Sequence, residues 1–187
     1  VVCGAARCAR HNYVFLEGVK AALTADPAWR DGRFERKPER GLRAMGRVYA
    51  GWAMSQAFYR DELWRQIGFS SLEDYLVGGW EGNFLRRHAE DLLAQIHTWQ
   101  HFSIADDPAY GGDFEAALRA IRAEVLLMPG RTDLYFRVED NADELPRLAR
   151  GRLAPIESDW GHRAGNPVHR GADWAFIREQ VRALLER

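Results

Sequence analysis

The sequence predicts an α/β protein, with a parallel sheet in its last third and a long helical segment before it. Three observations carry this. Helical periodicity and short apolar runs alternate over residues 113–187, the pattern that builds a parallel sheet. Val125-Leu126-Leu127-Met128 is apolar without alternation, as a strand covered on both faces must be. Residues 14–112 show helical spacing and many aromatics, but no strand pattern.

Taken in order, Val1-Val2-Cys3-Gly4 reads as the end of a buried strand, and residues 1–13 as that strand end and a loop. With no initiator Met, the sequence is expected to begin partway through a longer protein. Asn12 is the expected cap of a helix from Tyr13 to Leu23, stopped before Asp26-Pro27. Gly32 and Pro38 mark an exposed turn region from Asp31 to Gly41. Met45, Val48, Tyr49, Trp52, Tyr59, Leu63 and Ile67 then predict one long amphipathic helix, ended by Gly68.

Ser70-x-x-Glu73 fits a capping box that opens a short helix through Leu76, and Gly78-Gly79 predicts a break. Arg86–Phe102 forms the next helix, with Leu92, Leu93, Ile96 and Trp99 on one face. Asp113 caps a helix to about Arg122, ahead of the Val125–Met128 strand. Asp140–Ala149 is helical, with Pro146 disturbing it. Arg152–Ile156 is the second strand. Asp173 caps a final helix whose buried stripe is Trp174, Ile177, Val181, Leu184 and Leu185. Two strands and a stub make a sheet too narrow to pair all its backbone groups, so the sheet is incomplete.

Composition excludes several functions. The chain is 47% hydrophobic and 28% charged, with 26 basic against 27 acidic residues and a net charge of −1. No basic patch points to nucleic acid or to an anionic membrane. No apolar run approaches the roughly 20 residues of a membrane helix, and the first residues lack the pattern of a signal peptide. The two cysteines, Cys3 and Cys8, are too few for a disulfide framework and read as free cytosolic thiols. A cytoplasmic location is the expectation.

Two side chains carry the chemistry. Asp133 follows the first strand in Pro129-Gly130-Arg131-Thr132-Asp133, at the carboxyl end where α/β folds place their sites. It is also good turn chemistry, and a simple loop Asp is the competing reading. His162 follows the second strand in Asp159-Trp160-Gly161-His162. It suits a general acid–base, or else a surface loop histidine. The order Asp then His, each after a strand, suits the last two members of a Ser–Asp–His triad. No G-x-S-x-G elbow occurs among Ser55, Ser70, Ser71, Ser103 and Ser158. Nothing in the sequence near Cys3 or Cys8 lowers a thiol pKa. His97 and His101 stand four apart on one helix face, a metal-binding spacing without a third ligand. The seven tryptophans suit a core, or the lining of an acyl pocket.

These residues, in order, resemble the C-terminal part of the homoserine O-acetyltransferase-like branch of the α/β-hydrolase superfamily. The carriers are Phe15-Leu16-Glu17-Gly18, Ala25-Asp26-Pro27-Ala28-Trp29, Pro38-Glu39-Arg40-Gly41-Leu42, Ala120-Ile121-Arg122-Ala123, Thr132-Asp133-Leu134-Tyr135-Phe136 and Ile156-Glu157-Ser158-Asp159-Trp160-Gly161-His162.

The resemblance implies a parallel-sheet core with an inserted helical lid. Residues 1–13 are the end of a core strand, 14–112 the lid and 113–187 the C-terminal part of the core. It implies Asp133 and His162 as catalytic residues, with the nucleophilic serine upstream of Val1. The implied reaction takes an acyl group from a small-molecule ester or acyl donor and passes it to an alcohol or to water. No cofactor or metal is implied, beyond acyl-CoA as a donor co-substrate. No nucleic acid or membrane partner is implied, and the lid is expected to support a homodimer.

The chain departs from the family at Arg86-Arg87-His88, where the family's lid has Arg-Phe-Asp, and at Arg163-Ala164-Gly165 after the histidine. The expected class is therefore a homoserine O-acetyltransferase-like acyltransferase or an esterase, and these departures count against homoserine as the substrate. The alternative is a non-catalytic lid and dimerisation fragment, and a third reading is a metal-dependent hydrolase using His97 and His101.

Overall fold

The computed structural model describes residues 1–186, so only Arg187 of the third zone lies outside the described residues. In chain order the elements are α1 (Arg10–Thr24), β1 (Trp29–Arg30), β2 (Arg33–Phe34), α2 (Glu39–Ala53), α3 (Gln56–Arg60), α4 (Leu72–Asp74), α5 (Gly82–Leu85), α6 (Ala89–His101), α7 (Phe114–Arg119), β3 (Val125–Leu127), α8 (Val138–Glu144), β4 (Gly151–Leu153) and α9 (Ala172–Leu185). They form two compact units. One is helical, with residues 8–52 and 62–102. The other holds the parallel sheet, with residues 1–7, 53–61 and, among the described residues, 103–186.

In the helical unit the α1 stripe Leu16, Val19 and Leu23 packs against Leu42 and Met45 of α2, Phe84 of α5, and Leu92 and Ile96 of α6. Helix α1 starts earlier than predicted. Ala9 is its N-cap and Asn12 lies inside it, 2% exposed, because the apolar stripe rather than the cap residue decides where the helix sits. The turn region after α1 is a hairpin. Asp31 and Gly32 both take positive φ (50° and 81°), as a two-residue turn between twisted strands requires. The buried Asp26 carboxylate ties the hairpin to α2 by accepting from the N–H groups of Ala28 (2.8 Å) and Gly41 (2.9 Å).

The predicted 45–67 helix is three pieces. Helix α2 ends at Ala53, and Ser55 caps α3 by accepting the Phe58 N–H (2.9 Å). A 3₁₀ turn, Leu63–Ile67, then follows Glu62, whose φ is 52°, and Gly68 ends it at φ 93°. The serine competes for the backbone and overrides the continuous apolar spacing.

Ser71, not Ser70, caps α4, and Ser70 instead bonds Asp74 through both its N–H and its hydroxyl. Gly78-Gly79 does not break the chain. Residues Tyr75–Glu81 form a π-helical turn that joins α4 to α5. An added Cβ at either glycine would come within 3.2 Å of the Phe69 ring, so the pair serves close packing.

In the sheet-bearing unit β3 and β4 pair in parallel, Val125 with Gly151 through Leu127 with Leu153. Val2 bridges Met128, and Gly130 bridges Ile156, both in parallel. The order is therefore N-terminal stub, β3, β4, and this small sheet is incomplete. Its core is Cys3, Leu126, Met128, Ala154, Ile156 and Ala164.

Asp113 caps α7 as expected, and α8 gives way to a 3₁₀ turn at Leu145–Arg147, where Pro146 sits. The N-cap of α9 is Gly171. Asp173 lies in its first turn and accepts a 2.5 Å bond from the Ser158 hydroxyl, which draws it away from capping. Phe176, Ile177 and Leu184 of α9 pack on the core, whereas Val181 and Leu185 of the predicted stripe are exposed.

Candidate active site

Two loops at the carboxyl ends of β3 and β4 meet. Gly130 makes the first possible, since an added Cβ would lie 3.0 Å from both the Ala164 side chain and the Gly161 carbonyl. Arg131 donates its N–H to the Ile156 carbonyl (2.9 Å), so the sheet pairing runs into the loops. Thr132 then joins them: its hydroxyl donates to the Ser158 carbonyl (2.8 Å) and accepts the Gly161 N–H (3.2 Å).

Asp133 is 3% exposed. Its Oδ1 accepts the Tyr135 N–H (2.7 Å) and, at 3.4 Å, the Phe136 N–H. Its Oδ2 faces His162 Nδ1 at 2.9 Å. His162 is the second residue of the Gly161–Gly165 3₁₀ turn, with its side chain 36% exposed. The rings of Tyr135 and Phe136 lie 4.7 and 5.6 Å from the imidazole and fix its plane.

The two residues predicted from sequence are thus brought together, one buried and backbone-bonded, the other partly open to solvent. A carboxylate held this way orients an imidazole through Nδ1.

Gly161 shapes the turn. Its φ is 58°, and an added Cβ would meet the backbone of Ser55 (2.7 Å) and Ala53 (2.8 Å). Phe58 is fully buried, with its ring 5.3 Å from that of Trp160. Segment 53–61 is therefore part of this site's support. Sequence reasoning gave it no such part, and the signal available was the Ser55 cap that detaches it from α2.

Cys3 was likewise not foreseen here. It sits at φ 44°, buried, with its sulfur within 4.8 Å of the Asp133 and His162 ligand atoms. Burial first, and then the Asp133 charge, push its thiol pKa up to about 12.

All five serine hydroxyls are hydrogen-bonded: Ser55 to the Asp159 carbonyl, Ser70 to Asp74, Ser71 and Ser103 as caps, and Ser158 to Asp173. His97 and His101 stack on α6 with ring centroids 4.2 Å apart. Among the described residues, no third ligand joins them in a group able to hold a metal. No helix among the described residues is long and apolar enough to cross a membrane.

No protein-family model matches the chain. Among characterised proteins it is 29% identical over 163 residues to a probable esterase of Corynebacterium glutamicum, covering 86% of this chain and 46% of that protein. It is 28% identical over 176 residues to the homoserine O-acetyltransferase of Nitrobacter hamburgensis, covering 84% of this chain and 44% of that protein. The chain thus spans about half the length of the relatives it matches, in their C-terminal half. Among solved structures, an acetylester hydrolase from Corynebacterium glutamicum superposes on all of this chain and 53% of its own, with a TM-score of 0.91 and 27% identity. The chain carries the C-terminal part of the α/β-hydrolase fold, and its relatives are esterases and homoserine O-acetyltransferases.

Proposed function

We propose that the protein to which this chain belongs is an acyl-transfer enzyme acting on small esters, with Asp133 and His162 as two members of a Ser–His–Asp triad. The observation that supports this best is the 2.9 Å contact of His162 Nδ1 with the backbone-anchored Asp133 carboxylate. Nδ1 is thereby committed, and Nε2 is left to serve a reacting group. In the reading, the serine lies upstream of Val1. His162 Nε2 takes the serine proton as the oxygen attacks the acyl carbonyl, then gives it to the leaving alkoxide. Deacylation follows when His162 takes a proton from the acceptor as its oxygen attacks the acyl carbon, and returns that proton to the serine oxygen as the acyl–serine bond breaks. Asp133 holds the tautomer.

Water is the proposed acceptor. The resemblance places a carboxylate in the family's Arg-Phe-Asp segment that helps hold an amino-acid substrate, and Arg86-Arg87-His88 has none. An acyl-CoA enters only as donor if an alcohol replaces water. The free state of Cys3 and Cys8 supports a cytoplasmic setting.

The test uses the complete protein with p-nitrophenyl acetate, and separately with acetyl-CoA and homoserine. His162→Ala is expected to lower ester turnover about a thousandfold or more, with the circular dichroism spectrum unchanged. Asp133→Asn is expected to lower it by about four orders of magnitude, through the wrong tautomer. A loss below tenfold in either variant would remove that residue from the triad.

A further inference from the structure

Three side chains of the sheet-bearing unit bring a sulfur, an oxygen and a nitrogen together. Cys3 Sγ, a carboxylate oxygen of Asp133 and a ring nitrogen of His162 all lie within 4.8 Å of one another. The imidazole nitrogen on the Asp133 side is Nδ1, 2.9 Å from Oδ2. The fold itself sets Cys3 there. Its N–H donates to the Met128 carbonyl (3.0 Å), which carries the N-terminal stub along the end of β3. Gly165 leaves the room for its sulfur, since an added Cβ would lie 2.8 Å from Sγ. The proposed acyl-transfer steps make no use of this thiol.

This donor set is selective. Magnesium and calcium take oxygen ligands, whereas thiolate with imidazole selects zinc and ions like it. A tetrahedral ion with bonds of about 2.0–2.3 Å holds its ligands roughly 3.3–3.8 Å apart, so small shifts close these three donors on one ion. The sulfur and the carboxylate are buried, and the partly exposed His162 side chain is the open side. Solvent reaches the fourth position from there, as it does in zinc sites with three protein ligands.

We propose that Cys3, Asp133 and His162 bind a thiophilic divalent cation of the zinc class, and that the ion switches the site off. On binding, the Cys3 thiol releases its proton to solvent, and the sulfur and His162 Nδ1 each give a lone pair to the ion. The neutral imidazole then carries its proton on Nε2, so Nε2 no longer accepts one. The cation site stands apart from the acyl-transfer reading, and only the switching-off rests on it.

The experiment titrates the full chain, its thiols reduced, with Co²⁺, whose sulfur-to-metal charge-transfer absorption reports a thiolate ligand. The band is expected to saturate at a single equivalent, and Zn²⁺ to displace it. Cys3→Ser or Cys3→Ala, whichever keeps the parent's circular dichroism, is expected to abolish the band, and Cys8→Ser to leave it. His162→Ala is expected to weaken Co²⁺ by about tenfold or more. Absence of a saturable band in the parent overturns the cation site. So does a band that survives loss of Cys3, one lost with Cys8, or an unchanged affinity in His162→Ala. In the complete protein, saturating Zn²⁺ is expected to abolish p-nitrophenyl acetate turnover in the parent and to spare most of it in the Cys3 variant. Equal turnover with and without Zn²⁺ overturns the switching-off and leaves the cation site to the cobalt titration.

Discussion

The Thr132 hydroxyl and the Ser158 carbonyl are 2.8 Å apart, and this bond clamps the loop after β3 to the loop after β4. The same hydroxyl accepts the Gly161 N–H, so one side chain sets the distance between the segments that carry Asp133 and His162. Thr132→Val keeps the shape and removes both bonds. The expected cost is about 1–3 kcal/mol, from a carbonyl and an N–H left unmatched. It is measured as a fall in the urea midpoint of the full chain. Thr132→Ser retains the hydroxyl and is expected to recover most of it. If Asp133 and His162 act as proposed, ester turnover should fall with Thr132→Val by more than the stability loss explains, since small misplacement of such a pair costs up to about a hundredfold.

Gly161→Ala tests the turn itself. At φ 58° an L side chain is strained, and the new methyl would strike the backbone of Ser55 and Ala53, which cannot swing away as a side-chain tip can. Strain and overpacking together predict a loss of about 2–4 kcal/mol. The unfolding midpoint measures it. A midpoint within experimental error of the parent would show that segment 53–61 does not press on this loop.

The same residues show what a linear reading can reach. The meeting of Asp133 with His162 was legible because each follows a segment that reads as a strand, and because parallel strands deliver their following loops to one edge. The fold class and the narrow sheet were legible for the same reason. Helix ends were not, because caps are local and core contacts are not. Asn12 and Asp173 both look like caps, yet one is buried inside α1 and the other bonds Ser158. The break at Met54-Ser55 follows from a capping serine, and the π-helical turn through Gly78-Gly79 packs closely on Phe69, and apolar spacing encodes neither. Cys3 reached the site through a backbone turn at φ 44° that no residue type announces.

Cys3 should be nearly inert to alkylation in the folded protein. Its thiol is raised to about 12 by burial and then by the Asp133 charge, so little thiolate exists at neutral pH. Cys8 is raised as well, by burial, but it is more exposed. Iodoacetamide at pH 8, followed by mass spectrometry, should modify Cys8 first, and both at similar rates in 6 M urea. Asp133→Asn removes the charge contribution and should speed Cys3 modification modestly, because burial is the larger cause and stays.

Glu81 sets an acid limit on the helical unit. Its side chain is 7% exposed, at the end of the π-helical turn, and it accepts from Arg43 (2.8 Å) and Arg47 (2.5 Å). Burial acts to raise its pKa, but the two guanidiniums outweigh burial and hold it below the usual carboxylate range. A depressed folded pKa contributes stability that is present above the unfolded value and lost as pH falls through the folded one. The parent chain should therefore lose stability on acidification below about pH 4.5, where an unpaired glutamate begins to take up its proton. Glu81→Gln should start about 1–3 kcal/mol lower at pH 7, the worth of hydrogen bonds to a charged group, and should lack this part of the acid slope. Urea midpoints at pH 3.5, 4.5 and 7 separate the outcomes. Because the carboxylate is buried, 0.5 M NaCl should change the difference little, in contrast to the exposed Arg60–Asp61 pair. A Glu81→Gln chain with the parent's full acid slope would assign that slope to other carboxylates.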